Sequence, residues 1–264
     1  MNNKKTDMKY VVLLVSIVML GSCFGNLSQT ALNSMFAGMA QDFGVDAGVG
    51  QWVTTLYMLV LGITVPAVTY LMRRFVLKNV IIASLVLLVL GGVVDALAWN
   101  FCLLIVGRVL QAISAGITMP MMMSLIMTSV PPERQATAMG ISGIAMGFAP
   151  NIGPTIGGWM LETTGWRSFF VVLAFCSLLL TLVAIVVIKK TPPEDSQMRL
   201  DGISLLQSAL GFGGLLLGFS NASSYEFTSP FIWAPVIVGA IFLIFFIRRQ
   251  RRIEYPLIHL EIFH

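Results

Sequence analysis

The sequence predicts an all-α polytopic membrane protein with eight transmembrane helices, and three observations carry that prediction. Apolar residues make up 57% of the chain and charged residues only 11%, whereas a soluble domain carries about 25% charge. Eight apolar runs of membrane-crossing length can be laid out, at roughly 10–33, 52–72, 79–98, 101–127, 138–161, 167–188, 203–222 and 231–248. Charge then checks the layout independently. With the N-terminus placed inside, 14 of the 16 Lys and Arg residues fall on cytoplasmic segments, Arg167 falls outside and Arg108 lies within a span. That asymmetry follows the positive-inside rule. The net charge of +4 is therefore a matter of topology and does not point to nucleic acid. Cys23, Cys102 and Cys176 are odd in number, lack metal-ligand spacing, and read as small packing residues. The first run is too long for a signal-peptide core and holds no small-x-small cleavage site.

Taken in order, residues 1–9 form a cytoplasmic tail and 10–188 a six-helix bundle. On the first span, Ser22, Asn26, Gln29, Thr30 and Asn33 recur at spacings of three and four, so they share one face. Interhelical hydrogen bonding and a cavity lining both fit such a stripe. Asp42 and Asp46 belong to a solvated outer loop with a short amphipathic turn. Trp52 and Tyr57, opening the second span, fit an interfacial aromatic belt. Arg73, Arg74 and Lys78 form a basic inner turn.

Arg108 lies about eight residues into the fourth run, where a charge needs a partner or water. It is either a snorkelling arginine or part of a second polar stripe with Gln111, Ser114 and Thr118. Asp95, near the outer end of the third run, is a candidate neighbour. Met119, Met121, Met122, Met123 and Met127 read as lipid-facing filler. The fifth run holds two prolines and four glycines between Gly147 and Gly158, a density tolerated only inside a membrane. There Gly143, Gly147 and Gly157 fall near one face, open to close approach by another helix. Glu162 and Arg167 are expected to pair outside. Residues 189–202, with Pro192, Pro193, Glu194 and Asp195, read as a cytoplasmic linker. Two additional helices follow at 203–248, with Gly211, Gly214 and Gly218 as a packing face. Residues 249–264 return to the cytoplasm.

Ala149-Pro150-Asn-Ile-Gly153-Pro154-Thr-Ile-Gly157-Gly158 resembles the fifth-helix antiporter motif of the major facilitator superfamily. Further stretches resemble motifs of the same family. Leu104 to Gly116 matches its fourth-helix motif, Arg-x-x-Gln-Gly, with Ala112 in place of the glycine. This implies a role for Arg108 and Gln111 in proton coupling. Leu27, Thr30 and Asn33 match the first-helix motif of the fourteen-helix drug/proton antiporters, where Ser28 replaces an aspartate. Thr69 to Lys78 keeps Leu71, Arg74 and Lys78 of the inner-turn signature, with Thr69, Arg73 and Val76 in place of glycine, aspartate and glycine. The resemblance implies a cytoplasmic gate at Arg73, Arg74 and Lys78, and a role as topology determinants also accounts for these three cations. Pro131-Pro-Glu-Arg134 and Trp166 to Phe170 are similar to the family's turns around its fifth helix. Asp201-Gly-Ile-Ser204 is similar to the Asp-x-x-Gly entry to the two extra helices, with Ser204 for glycine. The resemblance also implies a substrate cavity lined by Asn26, Thr30, Asn33, Gln51, Thr55, Tyr57, Ser114 and Thr118.

The fold expected from this resemblance is the six-helix N-terminal bundle of the superfamily plus two additional helices. The implied function is proton-coupled efflux of drugs or other lipophilic small molecules from the bacterial cytoplasm. It needs no cofactor beyond the proton gradient and has the lipid bilayer as partner. Six spans plus two cannot alternate access alone, since the family rocks two six-helix halves against each other. The chain is thus read as an N-terminal portion. The alternatives are a half-transporter completed by another copy or a separate second half, and a non-transporting membrane interaction protein. No nucleophilic or metal constellation surrounds His259 or His264, and no phosphate-binding glycine loop is present, so an enzyme is not expected. The topology makes a direct prediction. In a background with Cys23, Cys102 and Cys176 replaced by Ser, the variant Asp195→Cys should resist an impermeant thiol reagent added outside intact cells and react only after permeabilisation; labelling from outside overturns the layout.

Overall fold

The computed structural model describes residues 8–193, 195, 201–222, 226–251 and 253, and for residues 47–51 the backbone alone. The described residues form nine helices: α1 Met8–Phe43, α2 Ala47–Thr64, α3 Ala67–Arg74, α4 Leu77–Ala96, α5 Phe101–Ser129, α6 Pro132–Thr163, α7 Trp166–Val187, α8 Gly202–Asn221 and α9 Pro230–Gln250. Six of these are long and apolar enough to cross a membrane. The second expected span is broken: α2 and α3 meet at an angle of 50° around Pro66, whose ring lacks an N–H and crowds the preceding turn. Counted as one, they make a seventh span. α6 has the length of the remaining expected span, 32 residues, but is too rich in glycine, proline and polar residues to match the others in apolarity. The nine all-α elements are compatible with the eight expected spans. The ends of the expected segments, 196–200 and 254–264, lie outside the described residues.

One boundary and one pairing differ from expectation in ways that matter to the fold. α1 continues to Phe43, so the expected loop around Asp42 is helical and the turn shrinks to a few residues. Gly44, at φ 63°, supplies the left-handed conformation that closes it. At 36 residues α1 is about 54 Å long, well beyond the roughly 30 Å of hydrocarbon it must cross. The second difference is the pairing of Arg167. Its guanidinium bonds Asp42 at 3.0 Å and the Ala98 carbonyl at 3.0 Å, not Glu162. The extension of α1 brings Asp42 to the α7 N-terminus, where the Trp166 indole also donates to it at 2.8 Å.

Within the bundle α1 packs along α6, α5 and α7, while α4 packs on α5 and α7. The apolar core is divided in two. Toward the end bearing Arg73, Arg74 and Lys78, called here the basic end, Leu14, Val18, Ile81, Leu85, Met121, Ile126 and Ala184 form one cluster. Toward the opposite end Leu32, Met35, Leu104, Phe169 and Phe170 form another. Between them lies a waist in which polar side chains replace apolar ones. There Ser28, Asp95, Arg108, Gln111, Ser114 and Ser177 are all buried. The methionines of α5 divide likewise: Met121 and Met122 are core, while Met119, Met123 and Met127 are exposed.

The pair α8–α9 forms a hairpin whose principal attachment to the bundle is α2, through Thr55 Oγ1 and Ser220 Oγ at 3.0 Å. The expected glycine face is present. A Cβ at Gly214 would lie 2.6 Å from the Pro235 carbonyl oxygen and 2.8 Å from the Gly239 Cα, so the two backbones touch only because both residues lack side chains. At the basic end the hairpin is locked by Asp201, which accepts Arg249 Nε at 2.7 Å and Nη2 at 3.0 Å. Ser204, which stands where the family motif has glycine, donates to the same carboxylate at 2.6 Å and accepts from Gln250 at 2.7 Å.

The Arg249 hydrogen bond, with help from Ser204, holds the Asp201 pKa down at about 2. Asp201→Asn removes the charge from this lock. A depressed carboxylate pKa stabilises above its unfolded value and loses that contribution as pH falls through the folded one. The parent should therefore melt above Asp201→Asn at neutral pH, and the difference should vanish as pH falls from about 4 toward 2. A constant difference across that window in detergent melting curves would remove the lock.

Candidate functional site

The site is built where α1, α2, α4 and α5 meet in the polar waist. Asn100 caps α5, its side chain accepting Leu103 N–H at 2.8 Å, and the helix then carries Arg108, Gln111, Ser114 and Thr118 inward on one face, all buried. Arg108 is 1% exposed, which excludes the snorkelling alternative. Its Nη1 donates to Ser28 Oγ at 2.9 Å and to Gln111 Oε1 at 2.6 Å. Ser28 donates in turn to Gln111 Oε1 at 2.7 Å. The guanidinium also stacks on Tyr57, 4.6 Å from the ring centroid, a cation–π contact strengthened by exclusion of water. Tyr57 is held by its own O–H, which donates to the Gly25 carbonyl at 3.2 Å.

The balancing negative charge is Asp95. Gln111 Nε2 donates to Asp95 Oδ2 at 2.9 Å, so the amide of Gln111 stands between the acid and the base. Its orientation is dictated by both neighbours, with the carbonyl toward Arg108 and the NH2 toward the carboxylate. Glycine creates the room. A Cβ at Gly91 would lie 2.6 Å from Gln111 Cγ and 2.7 Å from the Gly107 carbonyl, and one at Gly107 would lie 2.7 Å from Asp95 Cγ. Asp95 Oδ1, Arg108 Nε and Ser114 Oγ are buried without a hydrogen-bond partner.

The other expected site residues are distributed. Tyr57 joins the network, and Thr118 Oγ1 bonds the Ser114 carbonyl at 3.0 Å. Thr55 turns to α8. Asn26 donates to the Ser22 carbonyl at 3.1 Å and approaches Met146 Sδ of α6 at 3.8 Å. Thr30 lies against Gly153 of α6, and Asn33 is exposed. The side chain of Gln51 lies outside the described residues. Among the described residues, the expected cavity residues thus meet different partners: Asn26 and Thr30 face α6, Thr55 faces α8, and Tyr57 faces α1 and α5. Lys78 donates to the Ile185 carbonyl at 2.6 Å. Arg73 lines a cavity of about 500 Å³ with Thr69, Met72, Pro120, Ser124 and Pro192, at the basic end and remote from Arg108. Arg74 is half-buried in the last turn of α3.

The glycine-proline motif lies within one continuous α6, through Pro150 and Pro154, and its glycines divide between two faces. Gly153 and Gly157, with Ala149, are buried. A Cβ at Gly153 would lie 3.0 Å from the Leu27 carbonyl and the Ala31 N, and one at Gly157 2.7 Å from the Ala31 carbonyl. Gly143, Gly147 and Gly158 face open space. The expected grouping of Gly143 and Gly147 with Gly157 is therefore corrected: α1 occupies the Gly153/Gly157 side.

A sequence profile of the Major Facilitator Superfamily matches residues 18–255. The chain belongs to the major facilitator superfamily. YcnB, an uncharacterized transporter of this superfamily from Bacillus subtilis, is 37% identical over 252 residues, 95% of this chain and 53% of YcnB. The lincomycin resistance protein LmrB of Bacillus subtilis is 35% identical over 263 residues, 98% of this chain and 54% of LmrB. The chain thus spans about half the length of the curated relatives it matches. Among solved structures, a peptide transporter, POT, in complex with sulfate superposes with a TM-score of 0.66 at 14% identity, covering 92% of this chain and 53% of that one. At that identity the match speaks to the fold alone, and the fold is that of a superfamily transporter.

Sequence reasoning named Asp95 only as a neighbour and read Ser28 as a loss. A signal for Asp95 was available. It is the only acidic residue within the eight expected spans, and an ionisable group at membrane depth is a functional candidate by default. The division of the α6 glycines yields a prediction. Gly157→Leu drives a side chain into the α1 backbone, an overpacking that costs about 1–3 kcal/mol or more, whereas Gly158→Leu meets open space. Melting of the purified protein should fall for the first and stay near the parent for the second; equal effects would refute the two-faced helix.

Proposed function

We propose that the chain is the N-terminal portion of a proton-coupled exporter of lipophilic small molecules working by alternating access. One observation carries this reading: a buried arginine and a buried carboxylate, joined through one glutamine, in the waist of a membrane-spanning bundle. A structural salt bridge would place the two charges in contact. Here an uncharged, reorientable amide separates them, so gain or loss of a proton at the acid changes what the amide must face and what balances Arg108. Superfamily membership and the resistance function in the name of LmrB support export of a drug-like compound. The sparse fixed charge of the membrane-spanning faces suits a lipophilic one.

In this reading the basic end is cytoplasmic, both termini lie inside, and the protein resides in the bacterial cell membrane. Arg73, Arg74 and Lys78 gate the inner side, and the proton gradient supplies the energy. Asn26, Asn33 and the residues around them contribute the N-terminal wall of a substrate cavity. Alternating access requires a second bundle, which we place against the open α6 face bearing Gly143, Gly147 and Gly158. A second reading, favoured by that same unoccupied face, has another copy or a separate chain supply the bundle.

Arg108 tests the first reading. Arg108→Ala removes charge and donors together, whereas Arg108→Lys keeps the charge but loses the planar fork. In vesicles holding the full-length protein under an imposed pH gradient, with lincomycin as one probe, Ala should abolish gradient-driven export and Lys should retain a part. Parental export by Arg108→Ala would show that the arginine is structural and the coupling assignment wrong.

A further inference from the structure

We propose that Asp95 is the side chain that carries the coupled proton, with Oδ1 as the protonation site and Gln111 as the element that reports its state to Arg108. The inference deepens the proton-coupled reading above and rests on it. It begins from the environment of one carboxylate. Asp95 is 0% exposed. Its two oxygens are treated differently by the fold: Oδ2 receives the Gln111 amide at 2.9 Å, while Oδ1 accepts from no protein group among the described residues. What surrounds Oδ1 is the bare Cα of Gly107, and the Gly91 carbonyl oxygen lies beside the same spot, 2.9 Å from where a Gly107 Cβ would be. A carboxylate oxygen wants donors, and a buried one left without them carries an uncompensated desolvation cost. This pocket offers a C–H and an acceptor instead. It is furnished for an O–H, which brings its own donor to the carbonyl.

The neighbours leave no competing acid or base. From α5 come Arg108 and Gln111, from α2 Tyr57 on the far side of the guanidinium, and from α1 only the hydroxyl of Ser28. From α7 comes Ala174 against Gly92. The one charge of α7, Arg167, is engaged by Asp42 and the Ala98 carbonyl at the helix end. Asp95 also sits one residue from the end of α4, close to the exposed Leu97 and Trp99. Asp95 is thus near the outer end of its helix, while Arg108 lies eight residues into α5.

The cycle balances in protons and charge. A proton from the outer side binds Oδ1 and converts the carboxylate to the acid. The bundle then holds one uncompensated positive charge at Arg108, left with Ser28, Gln111 and the Tyr57 ring as its partners, and the rearranged state that relieves it opens inward. Release of the same proton to the inner side regenerates the carboxylate and restores the balanced waist. Nothing else is consumed.

The test reads the proton directly and needs no transport. Infrared difference spectra of this 264-residue chain in lipid, recorded across a pH titration, should contain a protonated-carboxyl C=O band. Asp95→Asn should delete that band, and Asp46→Asn, on the exposed turn after α1, should leave it whole. Gln111→Met removes the amide from Oδ2 and should shift the band's frequency, which keeps the test open if Asp95→Asn does not insert. A band that survives Asp95→Asn, or that ignores Gln111→Met, overturns the assignment. Should the band belong to Asp95 while the full-length parent shows no gradient-driven export, the export reading falls and the protonation site stands.

Discussion

Burying the Arg108 guanidinium is the constraint from which the architecture of the bundle follows. A charge withdrawn from water at this depth is costly unless its donors and its field are both answered. Four helices converge to answer them, α1 with Ser28, α2 with the Tyr57 ring, α5 with Gln111 and α4 with Asp95. The apolar core is interrupted at this level. Side chains that would pack in either cluster give way to serine, glutamine and glycine, and Gly91 and Gly107 let α4 and α5 approach until the acid reaches the amide. A bundle held by shape alone would fill this waist with leucine. On the proposed reading, a waist with two charge states serves the transport cycle better than the most stable packing would.

Glycine has a second use along α6. The residues that touch α1 and those that touch nothing alternate around one helix, so a single sequence motif builds both a fixed contact and a free surface. The fixed side, at Gly153 and Gly157, excludes side chains by backbone contact. The free side keeps a smooth groove along a helix whose prolines already weaken its own ladder. Rigidity and readiness to receive a partner thus come from neighbouring positions.

The fold was largely legible because its signals are coarse and redundant: long apolar runs, and cations confined to alternate connections. Boundaries failed where a polar stretch continued a helix, as at Asp42, since a helix does not end merely because it leaves the hydrocarbon. The break at Pro66 was signalled by proline but hidden by the apolar continuity around it. For the site, the α5 stripe of Arg108, Gln111, Ser114 and Thr118 was readable from spacing, since four polar groups at helical intervals must share a face. What spacing could not show is which helix meets that face. Ser28 looked like a lost carboxylate and proved to be a hydroxyl serving Arg108, and Ser204 looked like a lost glycine and proved to hold Asp201. Both are substitutions whose meaning lies in a residue far along the chain. The Glu162–Arg167 expectation failed for the same reason, since proximity in sequence was outweighed by the reach of α1.

The mode of attachment of the α8–α9 hairpin has a mechanical consequence. Its helices are joined to each other along a glycine seam and clamped by Asp201 and Arg249, so the hairpin is stiff. It hangs chiefly from α2, which is itself hinged at Pro66. A stiff outrigger fixed to one segment of a jointed beam follows that segment alone. In the proposed cycle, any tilt of α2 would carry the hairpin with it through the surrounding lipid, its far end travelling farther than α2 does. The two additional helices would then act as a lever arm working against the bilayer.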